Sequence, residues 1–245
     1  GQVVRRTTGN IENTFDPLYL VSGSGAYVGD YSFFGFTSPI WGGRYRFEAG
    51  YTVGTHNYGL VRADYRRYFF FNPVTLALSG YHIGRYGLQD NELDEFYPLN
   101  LGYSTYNLRG VHGYGINSFE AEECAGESID ECEVLDRVIG DRIAIAAVEI
   151  RVPLLGTREF GLINFPFLPT ELAGFFDAGL AWSGGDPPDF RWSTDSSDGN
   201  VPVFSTGVAA RFNLLGYLVL ETFYAYPFQR PEKRGYFGLV LMPGW

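Results

Sequence analysis

Residues 44–53, RYRFEAGYTV, alternate between two kinds of side chain along their whole length. Every second residue is apolar or aromatic, and each residue between them is charged, small or polar. The apolar set is Tyr45, Phe47, Ala49, Tyr51 and Val53, and the other set is Arg44, Arg46, Glu48, Gly50 and Thr52. Successive side chains of a β-strand point to opposite faces of the sheet. This stretch therefore predicts a strand with one apolar face and one polar face.

Eight further segments carry a similar pattern, which gives nine candidate strands in the chain. The other eight lie within 18–37 and at 60–71, 74–85, 142–154, 172–182, 203–214, 217–228 and 236–242. In the candidate strand at 60–71, the adjacent Arg66 and Arg67 break the alternation, which indicates either a bulge or the end of the apolar band. The longest uncharged stretches, 17–29 and 31–43, are too short for a transmembrane helix, which needs about 20 apolar residues.

The amino-acid composition also favours an all-β protein. The chain has 245 residues, of which 18% are aromatic, together with 32 glycines and a single methionine. Its 18 basic and 28 acidic residues give a formal net charge of −10. Domains that bind nucleic acid need a basic surface, so we expect no nucleic-acid partner.

Two all-β architectures fit this alternation. A soluble sandwich would pack the apolar faces of two sheets together and turn the charges to water. A membrane barrel would turn the apolar residues to lipid and the charges to its interior. Aromatic residues near strand ends resemble the interfacial girdles of membrane proteins, and they are residues 68–71, Trp182, Tyr224, Tyr226, Phe228 and Trp245. We therefore predict an antiparallel transmembrane β-barrel with about 8–10 strands in this chain, with the soluble sandwich as the alternative.

The lengths of the connections predict how the strands are oriented. The turn at 72–73 is short, whereas 86–140 and 183–202 are long and acidic, as is typical of the outer loops of such barrels. We expect residues 1–245 to form a single outer-membrane barrel domain. Because nine strands would leave the N-terminus outside, we expect either a tenth strand within 2–13 or further strands upstream. The opening residues show neither a signal peptide nor an initiator methionine, which indicates a processed chain or a fragment.

Four segments resemble the bacterial surface antigen superfamily of outer-membrane barrels, which includes the BamA-type barrel-assembly factor and TamA. Residues 106–111 (YNLRGV) resemble the V-R-G-F/Y motif of the family. Residues 148–154 (VEIRVPL) resemble its E-x-R-x-P-L strand, and residues 175–182 (FFDAGLAW) resemble its F-x-D-x-G strand. The last three strands of the family barrel resemble residues 207–228 and 235–245. The order and spacing also agree, although Val111 stands where the family has an aromatic residue. The resemblance covers about residues 100–245. The family barrel has sixteen strands, so the chain resembles its C-terminal half together with its centre.

The resemblance implies a function at the bacterial outer membrane. It favours a role in the assembly or insertion of membrane proteins, or in the translocation of polypeptide or lipid. The alternative is a structural membrane anchor or complex partner for a domain absent from this chain. The expected partners are outer-membrane lipid, unfolded barrel clients or other subunits, and a second copy that pairs through the sheet edges.

One ion-pair site is predicted in the interior. Arg109 lies in a loop that is too long to remain outside throughout, whereas Glu149 and Asp177 belong to the inward faces of consecutive strands. A guanidinium can bridge two carboxylates, so we predict that Arg109 pairs with both and that Gly110 allows a sharp turn beside it. The resemblance implies the same tether. The alternative is a solvated Arg109, with the carboxylates paired to Arg151 or Arg211.

The only two cysteines, Cys124 and Cys132, lie in the first acidic loop. In an oxidising, extracytoplasmic compartment an even pair in an outer loop predicts a disulfide, and two free thiols are the alternative.

No catalytic or cofactor-binding motif is present. The three histidines, His56, His82 and His112, lack the spacing of metal ligands, and the chain contains no nucleophile-elbow motif. The acidic loops have enough carboxylates to bind calcium, but they lack the EF-hand spacing and are interpreted as solvated outer loops. We expect a protein that is not an enzyme and holds no metal or cofactor.

Overall fold

The computed structural model describes residues 19–87, 98–103, 110–120, 123, 133–184, 187–195, 198–230 and 233–243. These residues form an all-β fold with one short α-helix, α1 (Glu133–Asp136), and one 3-10 turn at Ile116–Ser118. The strands are β1 (Leu20–Asp30), β2 (Phe33–Phe34), β3 (Pro39–Gly54), β4 (Tyr58–Phe71), β5 (Val74–Tyr86), β6 (Leu99–Asn100), β7 (Ile139–Gly140), β8 (Arg142–Gly156), β9 (Ile163–Asn164), β10 (Thr170–Trp182), β11 (Val203–Leu214), β12 (Leu218–Pro227) and β13 (Tyr236–Pro243).

Nine long strands form one meandering sheet in the order β1-β3-β4-β5-β8-β10-β11-β12-β13. Every neighbouring pair in this order is antiparallel. The short strand β2 pairs with β3, β9 pairs in parallel with β8, and β6 and β7 form a separate ribbon between β5 and β8. The sequence prediction of an antiparallel all-β fold is confirmed.

The two longest connections, 87–141 and 183–202, lie at one end of the sheet, which we call the loop end and which also carries the short connection 55–57. The other end, which we call the turn end, carries the tight connections at 72–73 and 215–217 and the 157–169 connection, which contains β9. At the turn between β11 and β12, Leu215 has φ of 57° and Gly216 has φ of 79°. Two successive left-handed residues match the twist of the flanking strands, which makes this a tight hairpin.

The predicted closed barrel is not observed. Strands β1 and β13 are the two edges of the sheet, and no pairing joins them within the part of the chain that the structure describes. The sheet is nevertheless curled, because Ser38 beside β3 donates a hydrogen bond to Glu171 of β10, four strands away. Closure requires the edge strands to pair along their length. Here the strands wrap around a loop that fills the inner side, and the edges remain apart.

The two faces of the sheet differ in chemistry, as the alternation predicts. The inner face carries Glu149 and Arg151 on β8, which are 7% and 5% exposed. The outer face carries Val148 and Ile150 of the same strand, which are 43% and 56% exposed. The pairing of β3 with β4 runs without a register shift through Arg67, so the proposed bulge is absent and Arg67 lies on the outer face. Among the described residues, no helix has the length and apolar character to cross a membrane.

Candidate functional site

A row of alternating charges crosses the inner face from β10 to β12. Arg211 on β11 lies directly opposite Glu171 on β10 and directly opposite Glu221 on β12. Its guanidinium is 3.3 Å from Glu171 through NH1 and donates to Glu221 through Nε. All three residues are buried. A guanidinium between two carboxylates satisfies several of its donors at once, which offsets part of the cost of burying the charges.

Glu149 on β8 extends this row into a network of three carboxylates and two guanidiniums. Its Oε2 atom lies 2.8 Å from Arg211 and accepts a 2.7 Å hydrogen bond from Nε of Arg151. Arg151 also donates to the carbonyl oxygen of Pro39, at 3.4 Å. The network therefore links four adjacent strands, β8, β10, β11 and β12, to the start of β3 and stabilises the curvature of the sheet from its inner side.

A second cluster is centred on His112, which lies in the long loop between β5 and β8. Its Nδ1 atom is 2.6 Å from Oδ2 of Asp177, and its backbone N–H donates to the same oxygen at 3.1 Å. Its Nε2 atom lies 3.2 Å from Glu221 and 3.1 Å from the hydroxyl of Tyr103. Because Glu221 also pairs with Arg211, the loop and the charge network share one carboxylate.

The environment of His112 stabilises its charged form. The ring stacks on Phe175 with centroids 4.0 Å apart and meets the edge of Phe223 at 4.5 Å. Burial alone favours the neutral imidazole, but the carboxylates of Asp177 and Glu221 outweigh it and raise the pKa of His112 to about 9. The imidazolium is therefore the predominant form at neutral pH, and it donates to both carboxylates.

Apolar packing holds this loop against the sheet. Leu101, Val111 and Tyr114 are completely or almost completely buried, and they pack with inner-face residues at the loop end. The inner-face partners are Ile83, Ile143, Ile145, Ala181 and Val203. Gly179 on β10 makes room for the loop, since a Cβ atom there would lie 2.6 Å from Val111. Small residues on β10 thus accept the loop.

Gly110 lies where two passes of the loop meet. A Cβ atom at Gly110 would lie 2.3 Å from the backbone nitrogen of Tyr103, and Val111 donates a backbone hydrogen bond to Leu101 at 2.7 Å. The glycine is therefore needed for close approach of the backbone. The sharp turn predicted beside it involves Arg109, which lies outside the described residues, so it stays a prediction.

Arg230, which follows β12, forms a second attachment of the loop. Its Nε and NH2 atoms bind the two carboxylate oxygens of Glu123 at 2.7 and 2.5 Å, and NH2 also donates to the carbonyl oxygen of Ser118 at 2.8 Å. The guanidinium lies 4.1 Å from the ring centroid of Phe119. Arg230 is 1% exposed, so this planar side chain fixes the loop by several directed contacts.

The predicted site residues fall into two groups. Glu149 and Asp177 both lie on the inner face, on adjacent strands, but they bind different partners: Glu149 binds Arg151 and Arg211, and Asp177 binds His112. Arg109 lies outside the described residues, so its pairing stays a prediction. The same applies to the disulfide between Cys124 and Cys132.

The sequence pattern did not predict His112 as a member of the site. One signal was present, because His112 lies three residues after Arg109 in the same LRGVHG segment. In the described part of the chain, no group of three or more histidine, cysteine, aspartate or glutamate side chains is arranged to hold a metal ion. The chemistry of the described cluster is charge pairing.

The chain was compared with models of known protein families and with curated protein sequences, and neither comparison gave a match.

Proposed function

We propose that this chain is a membrane-embedded β-sheet domain of the bacterial outer membrane that assists the assembly or insertion of other membrane proteins through its open edges. The observation that carries the proposal is the contrast between the faces: ionised side chains are buried on the inner face, and large apolar side chains are exposed on the outer face. Membrane β-sheets have this arrangement, with apolar residues toward lipid.

Aromatic residues at both ends of the outer surface support this placement. Trp41 and Phe167 lie near the turn end and are 56% and 84% exposed. Trp182 is the last residue of β10 and Tyr226 the second-last residue of β12, both at the loop end. Tryptophan and tyrosine are enriched at membrane–water interfaces. Strand β10 has 13 residues, which is more than the length of about 9–11 residues that a tilted transmembrane strand needs.

Among the described residues, no strand pairs with the outer edge of β1, and this edge supports a role in strand pairing. On either side of β1, the backbone N–H of Tyr31 donates a hydrogen bond to the carbonyl of Gly43, and the carbonyl of Tyr19 accepts one from the N–H of Thr55. In the continuous register between β1 and β3, the odd-numbered residues of β1 therefore form the hydrogen bonds to β3. In an antiparallel ladder the even-numbered residues then direct their N–H and C=O groups away from the sheet. Unpaired backbone groups are costly in lipid. A strand of an unfolded client, a second copy of the chain or an upstream segment would satisfy them.

A structural role as membrane anchor or complex partner is the second candidate. The observation that favours it is the interior, where the loop residues Leu101 and Val111 are completely buried against the sheet. A filled interior does not favour translocation of polypeptide or lipid through the middle of the curl. It favours a rigid platform, with any activity located at the edges.

A folding assay in liposomes tests the proposal. The chain is reconstituted, an unfolded eight-stranded outer-membrane barrel is added, and its insertion is followed by its shift on unboiled gels. We expect faster insertion with the wild-type chain. Val28→Pro removes an edge-directed N–H without breaking a bond to β3, so it should abolish the acceleration. Val28→Ala keeps the N–H and should leave it unchanged. A correctly inserted wild-type chain that gives no acceleration favours the anchor.

A further inference from the structure

Two arginines on the outer surface differ from those of the inner face in their partners. On the inner face, Arg66, Arg151 and Arg211 each bind a carboxylate. Arg67 and Arg142 point outward and have no carboxylate within salt-bridge distance among the described residues; their partners are aromatic rings and oxygen atoms of tyrosine or backbone. The chain has ten more acidic than basic residues, with 28 against 18, so an unpaired guanidinium does not reflect a shortage of carboxylates.

Arg142 is held in a defined position at the loop end. It is the first residue of β8, its guanidinium lies 4.5 Å from the ring centroid of Tyr86, and its Nε donates to the carbonyl oxygen of Arg85 at 3.2 Å. The neighbouring Gly84 makes this packing feasible, since a Cβ atom there would lie 2.8 Å from the Tyr86 ring. Within the part of the chain that the structure describes, Arg142 donates only through Nε, which leaves its terminal nitrogens to an anion.

Arg67 is held in a similar way toward the turn end. Its guanidinium lies 5.5 Å from the ring centroid of Tyr31 and 5.4 Å from that of Phe69, and NH1 donates to the hydroxyl of Tyr31 at 2.8 Å. Phe69 lies two residues closer to the turn, so the side chain extends in that direction. Contact with two rings restricts the rotamers of Arg67, which lowers the entropy cost of binding an anion.

The two arginines bracket an apolar band. Arg67 lies opposite Leu78, and Leu78 lies opposite Val148, which is six residues from Arg142 along β8. At about 3.4 Å per residue this is about 20 Å along the strand, or about 15 Å along the membrane normal for a strand tilted by about 40°. The two side chains point in opposite directions, and each extends this distance by roughly 5 Å. The apolar band of a membrane barrel is about 25 Å tall. Both guanidiniums can therefore reach the level of lipid headgroups.

We propose that Arg67 and Arg142 bind the phosphate groups of membrane lipids, one in each leaflet. This inference rests on the proposed membrane location. Guanidinium matches phosphate with two parallel hydrogen bonds, and at an interface with little water the phosphate supplies the missing counter-ion. The aromatic rings beside each arginine lie against the lipid chains near the headgroup.

Native mass spectrometry of the detergent-solubilised chain tests this inference. The probes are dioleoyl phosphatidic acid, dioleoylglycerol, which has the same chains without phosphate, and inorganic phosphate. We expect two phosphatidic acid molecules to bind above the dioleoylglycerol background. Arg67→Gln and Arg142→Gln should each weaken one of them about tenfold, which corresponds to about 1.4 kcal/mol. Arg46→Gln, an inner-face change, should weaken neither.

Several outcomes overturn the inference. Phosphatidic acid that binds no better than dioleoylglycerol, or equally well to both variants, excludes a phosphate site at these arginines. Inorganic phosphate that binds alone at the same positions identifies free phosphate as the ligand. Arg142→Lys keeps the charge and should retain more binding than Arg142→Gln, which separates lost recognition from lost folding. Flotation with vesicles separates the phosphate-binding proposal from the proposed membrane location. If the wild-type chain floats equally well with vesicles that contain phosphatidic acid and with vesicles that contain dioleoylglycerol, only the phosphate-binding proposal is overturned. If the wild-type chain does not float, the membrane location is overturned as well.

Discussion

The Nδ1 atom of His112 lies 2.6 Å from Oδ2 of Asp177, and this contact fixes the long loop to the centre of the inner face. Both side chains are almost completely buried. The same imidazole reaches Glu221 through its other nitrogen, at 3.2 Å. A single loop residue therefore compensates two carboxylates on separate strands, β10 and β12, and the stability of the sheet depends on the position of the loop.

Replacement of His112 should destabilise the protein strongly. His112→Asn removes the cation and leaves Asp177 and Glu221 buried with fewer partners, for which we expect a loss of about 3–5 kcal/mol. Tyr103→Phe removes one neutral hydroxyl next to the same ring and should cost about 1 kcal/mol. Chemical unfolding in detergent measures both. Equal effects of the two substitutions would argue against an ion-pair role for the imidazole.

Stability should fall as the pH rises above neutrality. Although burial opposes the charge, the two carboxylates raise the pKa of His112 to about 9 from an ordinary value of 6.5. The raised pKa means that this stabilisation is complete below about pH 6.5 and is lost as the pH rises through about 9. Its full size is about 3 kcal/mol.

Unfolding midpoints between pH 6 and pH 9.5 test this dependence. In the His112→Asn variant this part of the pH dependence should vanish. A wild-type midpoint that is flat over this range would show that the imidazole is not protonated in the folded state.

Arg211 should be the most sensitive position in the charge network. Arg211→Met leaves Glu149, Glu171 and Glu221 buried without their shared cation, and we expect a loss of about 3–5 kcal/mol. Arg46→Met removes an arginine whose side chain is 45% exposed and which pairs with Glu48; it should cost at most about 1 kcal/mol. Glu171 forms its ion pair with Arg211, so adding Glu171→Gln to Arg211→Met should recover part of the loss, and a double variant less stable than Arg211→Met would count against the network.

Gly110 and Gly115 form a matched pair for testing the loop. A Cβ atom at Gly110 would lie 2.3 Å from backbone, whereas one at Gly115 would have no neighbour within 4 Å. Gly110→Ala should therefore lower the thermal midpoint and expose the loop to protease, because the two passes of the loop can no longer meet. Gly115→Ala should change neither property. Protease resistance that is equal in both variants would mean that the loop is not packed as described.

Alternation in the sequence was sufficient to predict the strands and the faces on which Glu149 and Asp177 lie. Inward and outward positions follow from a period of two, and both hold in the structure. The partners of these residues were not predictable in the same way. The row from Glu171 through Arg211 to Glu221 depends on the register between strands, which alternation does not specify.

The role of His112 was hidden for a different reason. Loop residues follow no period, and the position of His112 depends on packing of Val111 against Gly179, a contact between residues far apart in sequence. Alternation also did not decide between a closed barrel and edges that pair with a second copy, since closure depends on how tightly nine strands curl around the loop. Local patterns define elements, whereas the site arises from contacts distant in the chain.

If the sheet is embedded in a membrane, its outer face contacts lipid chains. Ile150 lies on that face near the middle of β8 and is 56% exposed. We would introduce Ile150→Trp, reconstitute the chain in vesicles, and measure the quenching of the added fluorescence by lipids brominated deep in their acyl chains. Thr194→Trp, in an exposed stretch of the second long loop, is the control. We expect strong quenching for Ile150→Trp and none for Thr194→Trp; equal, weak quenching of both would show that the outer face is not in contact with lipid.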